Sequence, residues 1–227
     1  MFMVKNMFTA IVPVRAGSRR VKDKNIRAFG ESNLLVHKIR QLKEVVEIGK
    51  IVVSSDSEKM LSMAEQEGVG VHKRSWEYCD EKTAPFGDVV KNVCQNVEGQ
   101  HIIWALCTAP LIMPVHYREA IAVYKEKLSN GEHDSLIAVQ EFKKYVWDDD
   151  GPVNFSPGRG HVPSQNLPQW YLTTGLRIAP REKMIEWAYF TGVKPHKYVI
   201  PSIHCVDIDE EVDFFVAESL YKKIVSR

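Results

Sequence analysis

The chain alternates short, nearly continuous apolar runs with segments whose apolar residues fall at helical spacing. Phe8 to Val14 is apolar and β-rich, which predicts a buried strand. Leu34 to Val46 sets Leu35, Val36, Ile39, Leu42 and Val46 on one side of a predicted helix. IVVSSDS, residues 51–57, predicts a strand ending in a polar turn. Ser57 then caps a helix that turns Met60, Leu61 and Ala64 inward and stops at Gly68. The pattern continues with a helix over 85–97, a strand at HIIWALC (101–107), a helix from about His116 to Leu128, and a strand at DSLIAVQ (134–140). Such an order predicts parallel strands joined by right-handed crossovers.

The periodicity stops near Glu141. From there to Pro168 the chain is rich in Gly, Pro, Asn and Asp, as expected of an arm, an inserted hairpin or a lid. WYLTTGLRIA (170–179) returns to strand character, and a short helix is expected from about Arg181. HKYVIP and HCVDID read as two further strands, before a last helix that starts near Asp209 and ends near Val225. The sum is an α/β fold of three layers, a mostly parallel twisted sheet flanked by helices. It is expected as a single domain over 1–227, with an arm or dimerisation insertion around 141–170.

Composition narrows the function classes. Of 227 residues, 44% are hydrophobic, enough for one substantial core. Thirty basic residues face 29 acidic ones, for a net charge of +1, which argues against broad nucleic-acid binding. The four cysteines form no CxxC pair and no zinc spacing, so they read as buried thiols of a reducing compartment. The apolar N-terminus is short and runs straight into a charged loop. No signal peptide and no membrane span are expected, and a cytoplasmic location follows.

Charge is concentrated in VPVRAGSRRVKDKN, residues 12–25. Arg15, Arg19, Arg20, Lys22 and Lys24 fall within ten positions, and only Asp23 opposes them. Gly17 lets the backbone approach a ligand or adopt positive φ, and backbone N–H groups in such turns point at anions. Arginine forks and lysine point charges both suit phosphate. A solvated charged loop carries the same pattern, but a position after the first strand favours a ligand. The loop is neither a Walker A motif nor a GxGxxG fingerprint. At the other end, Asp207 and Asp209 fall on one face of the expected strand. A hard cation such as Mg²⁺ with phosphate oxygens would join them, or Asp209 would simply cap the last helix.

VPVRAGSRRVKDKNIRAFG resembles the signature of the acylneuraminate cytidylyltransferases, with Arg15, Gly17, Ser18, Arg19, Lys24, Asn25 and Gly30 in step. VVSSDS (52–57), KRSWEYCDEKTAP (73–85), LCTAPL (106–111) and VDIDEEVDF (206–214) are similar to four further motifs of that family, in the same order. The resemblance implies a nucleotide-diphospho-sugar transferase-like fold and a reaction in which CTP and a sialic-acid-like keto-sugar acid (a nonulosonate) give a CMP-sugar and pyrophosphate. It implies that Arg15, Gly17, Ser18, Arg19, Lys24 and Asn25 hold the nucleotide, that Arg74 and Thr83 lie near the base, and that Asp207 and Asp209 bind Mg²⁺. Arg15, Lys24 and Asp209 would carry the catalysis. The implied partners are CTP, a small acidic sugar and a second copy of the chain, with no nucleic acid and no membrane. Arg20 and Lys22 read as surface residues.

The sugar side departs from the family. Leu106 stands where glutamine is usual, Ile112 where arginine is usual, and Thr174 where asparagine is usual. The acid's carboxylate still needs a cation or several donors. Arg159, Lys143, Lys144 and His161 of the arm are the sequence's candidates. A different keto acid such as Kdo, a legionaminate- or pseudaminate-like sugar, or a nucleotide binder without transferase activity are the alternatives.

Overall fold

The computed structural model describes residues 8–18, 20–80 and 82–225. In chain order its strands are β1 (Phe8–Pro13), β2 (Ala28–Phe29), β3 (Ser32–Asn33), β4 (Ile48–Ser55), β5 (Gly70–Lys73), β6 (His101–Ala105), β7 (Ser135–Phe142), β8 (Trp147–Asp148), β9 (Gly151–Pro152), β10 (Trp170–Pro180) and β11 (Pro195–Val199). The α-helices are α1 (Leu34–Lys43), α2 (Glu58–Gln66), α3 (Phe86–Asn96), α4 (Pro114–Ser129), α5 (Arg181–Trp187) and α6 (Glu211–Val225).

Seven strands form one sheet in the order β11-β7-β10-β6-β1-β4-β5. All neighbours pair in parallel except β10, which runs antiparallel to both β6 and β7. Both faces are covered, which is why β1 and β6 read as unbroken apolar runs. Ala10 and Val12 turn to the face under α1, α2, α4 and α6, in a core that holds Leu35, Ile39, Met60, Tyr117 and Phe214. Ile11, Ile102 and Trp104 turn to the opposite face, against Val90, Val93 and Cys94 of α3 and Met184 of α5.

Local chemistry starts and stops the helices where the pattern places them. Asn33 caps α1 by accepting from Val36 N at 3.0 Å, and Ser57 caps α2 by accepting from Met60 N at 3.4 Å. Gly68, at φ 70°, ends the turn after α2. Two expectations fail. The helix over 34–46 stops at Lys43, so that Val45 turns inward and Val46 is left 87% exposed. HCVDID is no strand: a 3₁₀ turn at Ser202–His204 follows Pro201, and Ile208 N makes its bond to Thr108 O at 2.8 Å, off the sheet.

The arm leaves β7 at Phe142 and returns at Trp170, which pair directly, and carries the β8–β9 ribbon and two 3₁₀ turns. Its Tyr145, Phe155 and His161 pack on one another, with Trp147 on Phe155, while Trp147 stays 63% exposed. Among the described residues, no helix is long and apolar enough to cross a membrane.

Candidate active site

Strand order reverses between β1 and β6, and ligands of α/β sheets bind beyond the carboxyl ends of strands at such a switch. A cavity of about 690 Å³ opens there. One wall is the loop after β1, with Arg15, Ser18, Arg20, Lys24 and Asn25. The other is apolar, with Phe86 and Val89 of α3, Trp104 and Leu106 at the end of β6, and Phe190. The described lining also holds Arg74 and Asp80 from the segment after β5, and Arg177 of β10.

The loop is held by its own polar residues. Gly17 takes φ 72° and Asp23 φ 51°, both left-handed, which folds the backbone back on itself. Ala16 N donates to Asp56 Oδ1 at 3.0 Å, and Asn25 Nδ2 donates to Arg15 O at 3.3 Å. Arg74 is 5% exposed and donates to Val14 O at 2.8 Å, while Arg15 Nη1 donates to Cys79 O at 2.7 Å. Arg15 and Arg74 therefore tie the loop to the segment after β5 and also line the cavity.

The two distant aspartates do not act alike here. Lys24 Nζ donates to Ile208 O at 2.6 Å and sits 3.5 Å from Asp209 Oδ1. Arg20 Nη2 pairs with the same oxygen at 2.7 Å. Arg20, read from the sequence as a surface residue, thus joins the loop to Asp209 and lines the cavity. Asp207 acts instead on two interior cations, Lys38 and Arg177, whose charged forms its charge favours. Ile208, fully buried, separates the two carboxylates.

Asp207 and Asp209 meet part of the requirement for Mg²⁺. Among the described residues no group of three or more His, Cys, Asp or Glu is arranged to hold a metal. Mg²⁺ bound to nucleotides commonly takes only one or two carboxylates, the phosphates and water completing the shell. Neither Asp207 nor Asp209 is among the residues that line the cavity, no strand over 206–209 sets the two on one face, and Asp209 is paired with Arg20.

Other expected site residues fall outside the cavity. Thr83 spends its hydroxyl on Glu77 O and Asp80 O, at 2.6 and 2.8 Å, and is not in the wall. Gly17 shapes the loop without lining the cavity, and Arg19 lies outside the described residues. Lys143 donates to Gln165 O and His161 stacks on Tyr145; neither they nor Lys144 and Arg159 line the cavity.

Sequence reasoning missed two interior cations. Lys38, with no exposed surface, donates from Nζ to Ala109 O (3.0 Å) and Tyr117 Oη (3.1 Å), fixing the turn after β6. Burial pulls its pKa down to about 7, opposed by nearby Cys107 and Asp207. Arg177 is 8% exposed, and burial likewise lowers its pKa, against the pull of Asp207 and Tyr189. Each was visible as one charge inside an apolar run, LLVHKI and TTGLRIA.

Residues 9–149 match the model of the family described as Cytidylyltransferase. The chain belongs to the cytidylyltransferase family. It is 26% identical over 233 residues to the pseudaminic acid cytidylyltransferase of Campylobacter jejuni, covering 96% of this chain and 97% of that one. It is 25% identical over 218 residues to N-acylneuraminate cytidylyltransferase A of Danio rerio, covering 92% of this chain but 50% of the relative. The chain thus spans about half the length of the acylneuraminate relatives it matches. A solved CMP:2-keto-3-deoxy-manno-octonic acid synthetase complexed with CTP superposes with a TM-score of 0.70 at 11% identity, over 96% of this chain and 99% of that one. A 4-diphosphocytidyl-2C-methyl-D-erythritol synthase from Anaerococcus prevotii gives 0.63 at 12% identity, over 96% and 99%. These structures share the fold of this cytidylyltransferase family member: an α/β sandwich of three layers around a twisted mixed sheet.

Proposed function

We propose that the protein is a CTP-dependent nucleotidyltransferase acting on a small keto-sugar acid. The sugar hydroxyl gives up its proton to solvent as its oxygen bonds to the α-phosphorus, the bond from that phosphorus to the α,β-bridging oxygen breaks, and pyrophosphate leaves. The observation that carries this reading is the cationic wall of the switch-point cavity, built by the loop of residues 14–27 inside the matched cytidylyltransferase segment. Arg15 and Lys24 would hold phosphate oxygens, in fixed positions that favour the charge distribution of the transition state. Ser18 and Asn25 border the same wall, and Arg74 backs it from below. Asp207 and Asp209 would hold Mg²⁺, which supplies charge compensation for the triphosphate when bound.

The acid is drawn broadly, as the alternative reading of the sequence has it, and not as sialic acid in particular. Two observations support that choice. The acylneuraminate relatives are matched over half their length, and the pseudaminic acid relative over nearly all of it. The residue that replaces the family's glutamine, Leu106, lies in the apolar wall. A homodimer through the arm, with its exposed Trp147 and Tyr171, belongs to the same proposal.

The test is pyrophosphate release by the purified chain with Mg²⁺, each of four nucleoside triphosphates, and N-acetylneuraminate, pseudaminate and Kdo. Release with CTP and at least one acid is expected; none with any pair overturns the reading. Asp209→Ala is expected to abolish release while leaving the melting temperature within a few degrees, roughly the effect of 1 kcal/mol. Full activity of that variant removes Asp209 from the site.

A further inference from the structure

We infer that Arg177 is the residue that grips the carboxylate of the acidic co-substrate. The inference rests on the transferase reading above and names the residue that recognises the acid.

A buried guanidinium stays charged and is expected to have hydrogen-bonding partners. Arg177 lines the cavity, yet its Nε and Nη1 are buried and have no hydrogen-bond partner among the described residues. Its guanidinium carbon lies 4.7 Å from the centroid of the Phe190 ring, which steadies the plane without using its N–H groups. Leaving such donors unpaired is destabilising unless something arrives to accept from them.

The backbone is shaped to bring this side chain there. Between Thr173 and Arg177 the pairing of β10 with β7 advances four steps on β10 against two on β7. Such bulges re-aim side chains beside functional sites. Gly175 sits at the same irregularity, where a Cβ would come within 2.4 Å of Ala109 Cβ, so the strand can press against the turn after β6 only with glycine there. Arg177 then pairs in register with Trp104, and both face the apolar wall.

The ligand chemistry follows from the surroundings. The opposite wall already carries several phosphate-competent cations. On the apolar side, Arg177 packs on Phe190 and shares the lining with Phe86, Val89, Trp104 and Leu106. A single negative group on an otherwise uncharged sugar face suits it, and a carboxylate matches a guanidinium with parallel hydrogen bonds. Here the cation that Ile112 does not supply, and that Lys143, Lys144 and Arg159 of the arm do not bring to the cavity, comes from the strand.

Kinetics of the full chain with CTP and whichever of N-acetylneuraminate, pseudaminate and Kdo reacts would test this, with Arg177→Gln and Arg177→Lys. Loss of charge-assisted hydrogen bonds predicts a rise of about 10- to 100-fold in KM for the acid in Arg177→Gln. KM for CTP should stay within about twofold, and Arg177→Lys should recover part of the loss. A rise confined to KM for CTP would assign Arg177 to a nucleotide phosphate and overturn the inference. So would a lowered melting temperature with both KM values unchanged, which would make the residue structural. Where no acid reacts, oxalate decides, followed by tryptophan fluorescence. A response in the wild type that Arg177→Gln loses supports the carboxylate site although the transferase reading has failed; no response in the wild type overturns it.

Discussion

The cavity keeps its positive charge in two different ways. On the loop after β1, Arg20 pairs with Asp209 in a setting open to water, their side chains being 62% and 52% exposed. Arg177 across the cavity, and Lys38 outside its lining, sit inside the protein, where burial works against their charged forms. Water and a nearby carboxylate stabilise the first pair, so those charges are easy to place and easy to redirect toward a ligand. The interior pair has lost water. Lys38 replaces it with Ala109 O and Tyr117 Oη, while Arg177 has left two nitrogens without a replacement. Exposed charge marks where a polyanion can be collected; interior donors left without a hydrogen-bond partner mark where one particular group is selected.

Variants break this contrast from either side. The largest expected effect is on the loop. Arg15→Ala with Lys24→Ala should lower kcat/KM for CTP by about 100- to 1000-fold, since the proposal assigns both cations to phosphate oxygens. CTP affinity of the wild type should also fall steeply with added salt. Unchanged CTP kinetics in the double variant would take the phosphates off this loop.

Lys38 sharpens the other side, through stability. Lys38→Met leaves buried acceptors without a donor and should cost about 3 kcal/mol, read from denaturant unfolding. The pH dependence has a definite sign. The folded pKa of Lys38 is about 7, below its ordinary value of 10.5. Between those values the unfolded chain binds the extra proton, so stability from this group rises with pH across the window and is lowest at and below pH 7. The slope is at most about 1.4 kcal/mol per unit, and Lys38→Met should remove it. An unchanged slope in the variant would assign the titration to another group.

The smallest effect belongs to Arg20. Its pair with Asp209 is largely in water, so Arg20→Ala should change stability by less than about 1 kcal/mol, as measured by thermal melting. A loss of several times that would mean that the loop depends on the pair for its fold.

The elements were legible because their signals are local. Asn33, Ser57 and Gly68 act within a turn of their own helices, and two covered faces leave unbroken apolar runs in β1 and β6. Val46 misled because helical spacing persists beyond the residue at which the backbone turns. HCVDID misled because alternation says nothing about whether a neighbouring strand is within reach; the nearest backbone partner of Ile208 is the turn at Thr108.

The sequence by itself determined the six α-helices and the strands β1, β4, β6, β7, β10 and β11, the cationic loop, and the family motifs that run from Arg15 to Asp213, but not β5, and it placed a strand at HCVDID where there is none. Each depends on residues near one another in the chain or on a pattern kept along it. Only the tertiary structure decided that β10 runs against its neighbours, that Asp209 meets Arg20 while Asp207 favours the charged forms of Lys38 and Arg177, and that Arg177 borders the same cavity as Arg15. Those facts depend on which segments pack together and on how much water remains between them. A charge inside an apolar run shows in the sequence, but whether it finds a partner there depends on residues far away in the chain.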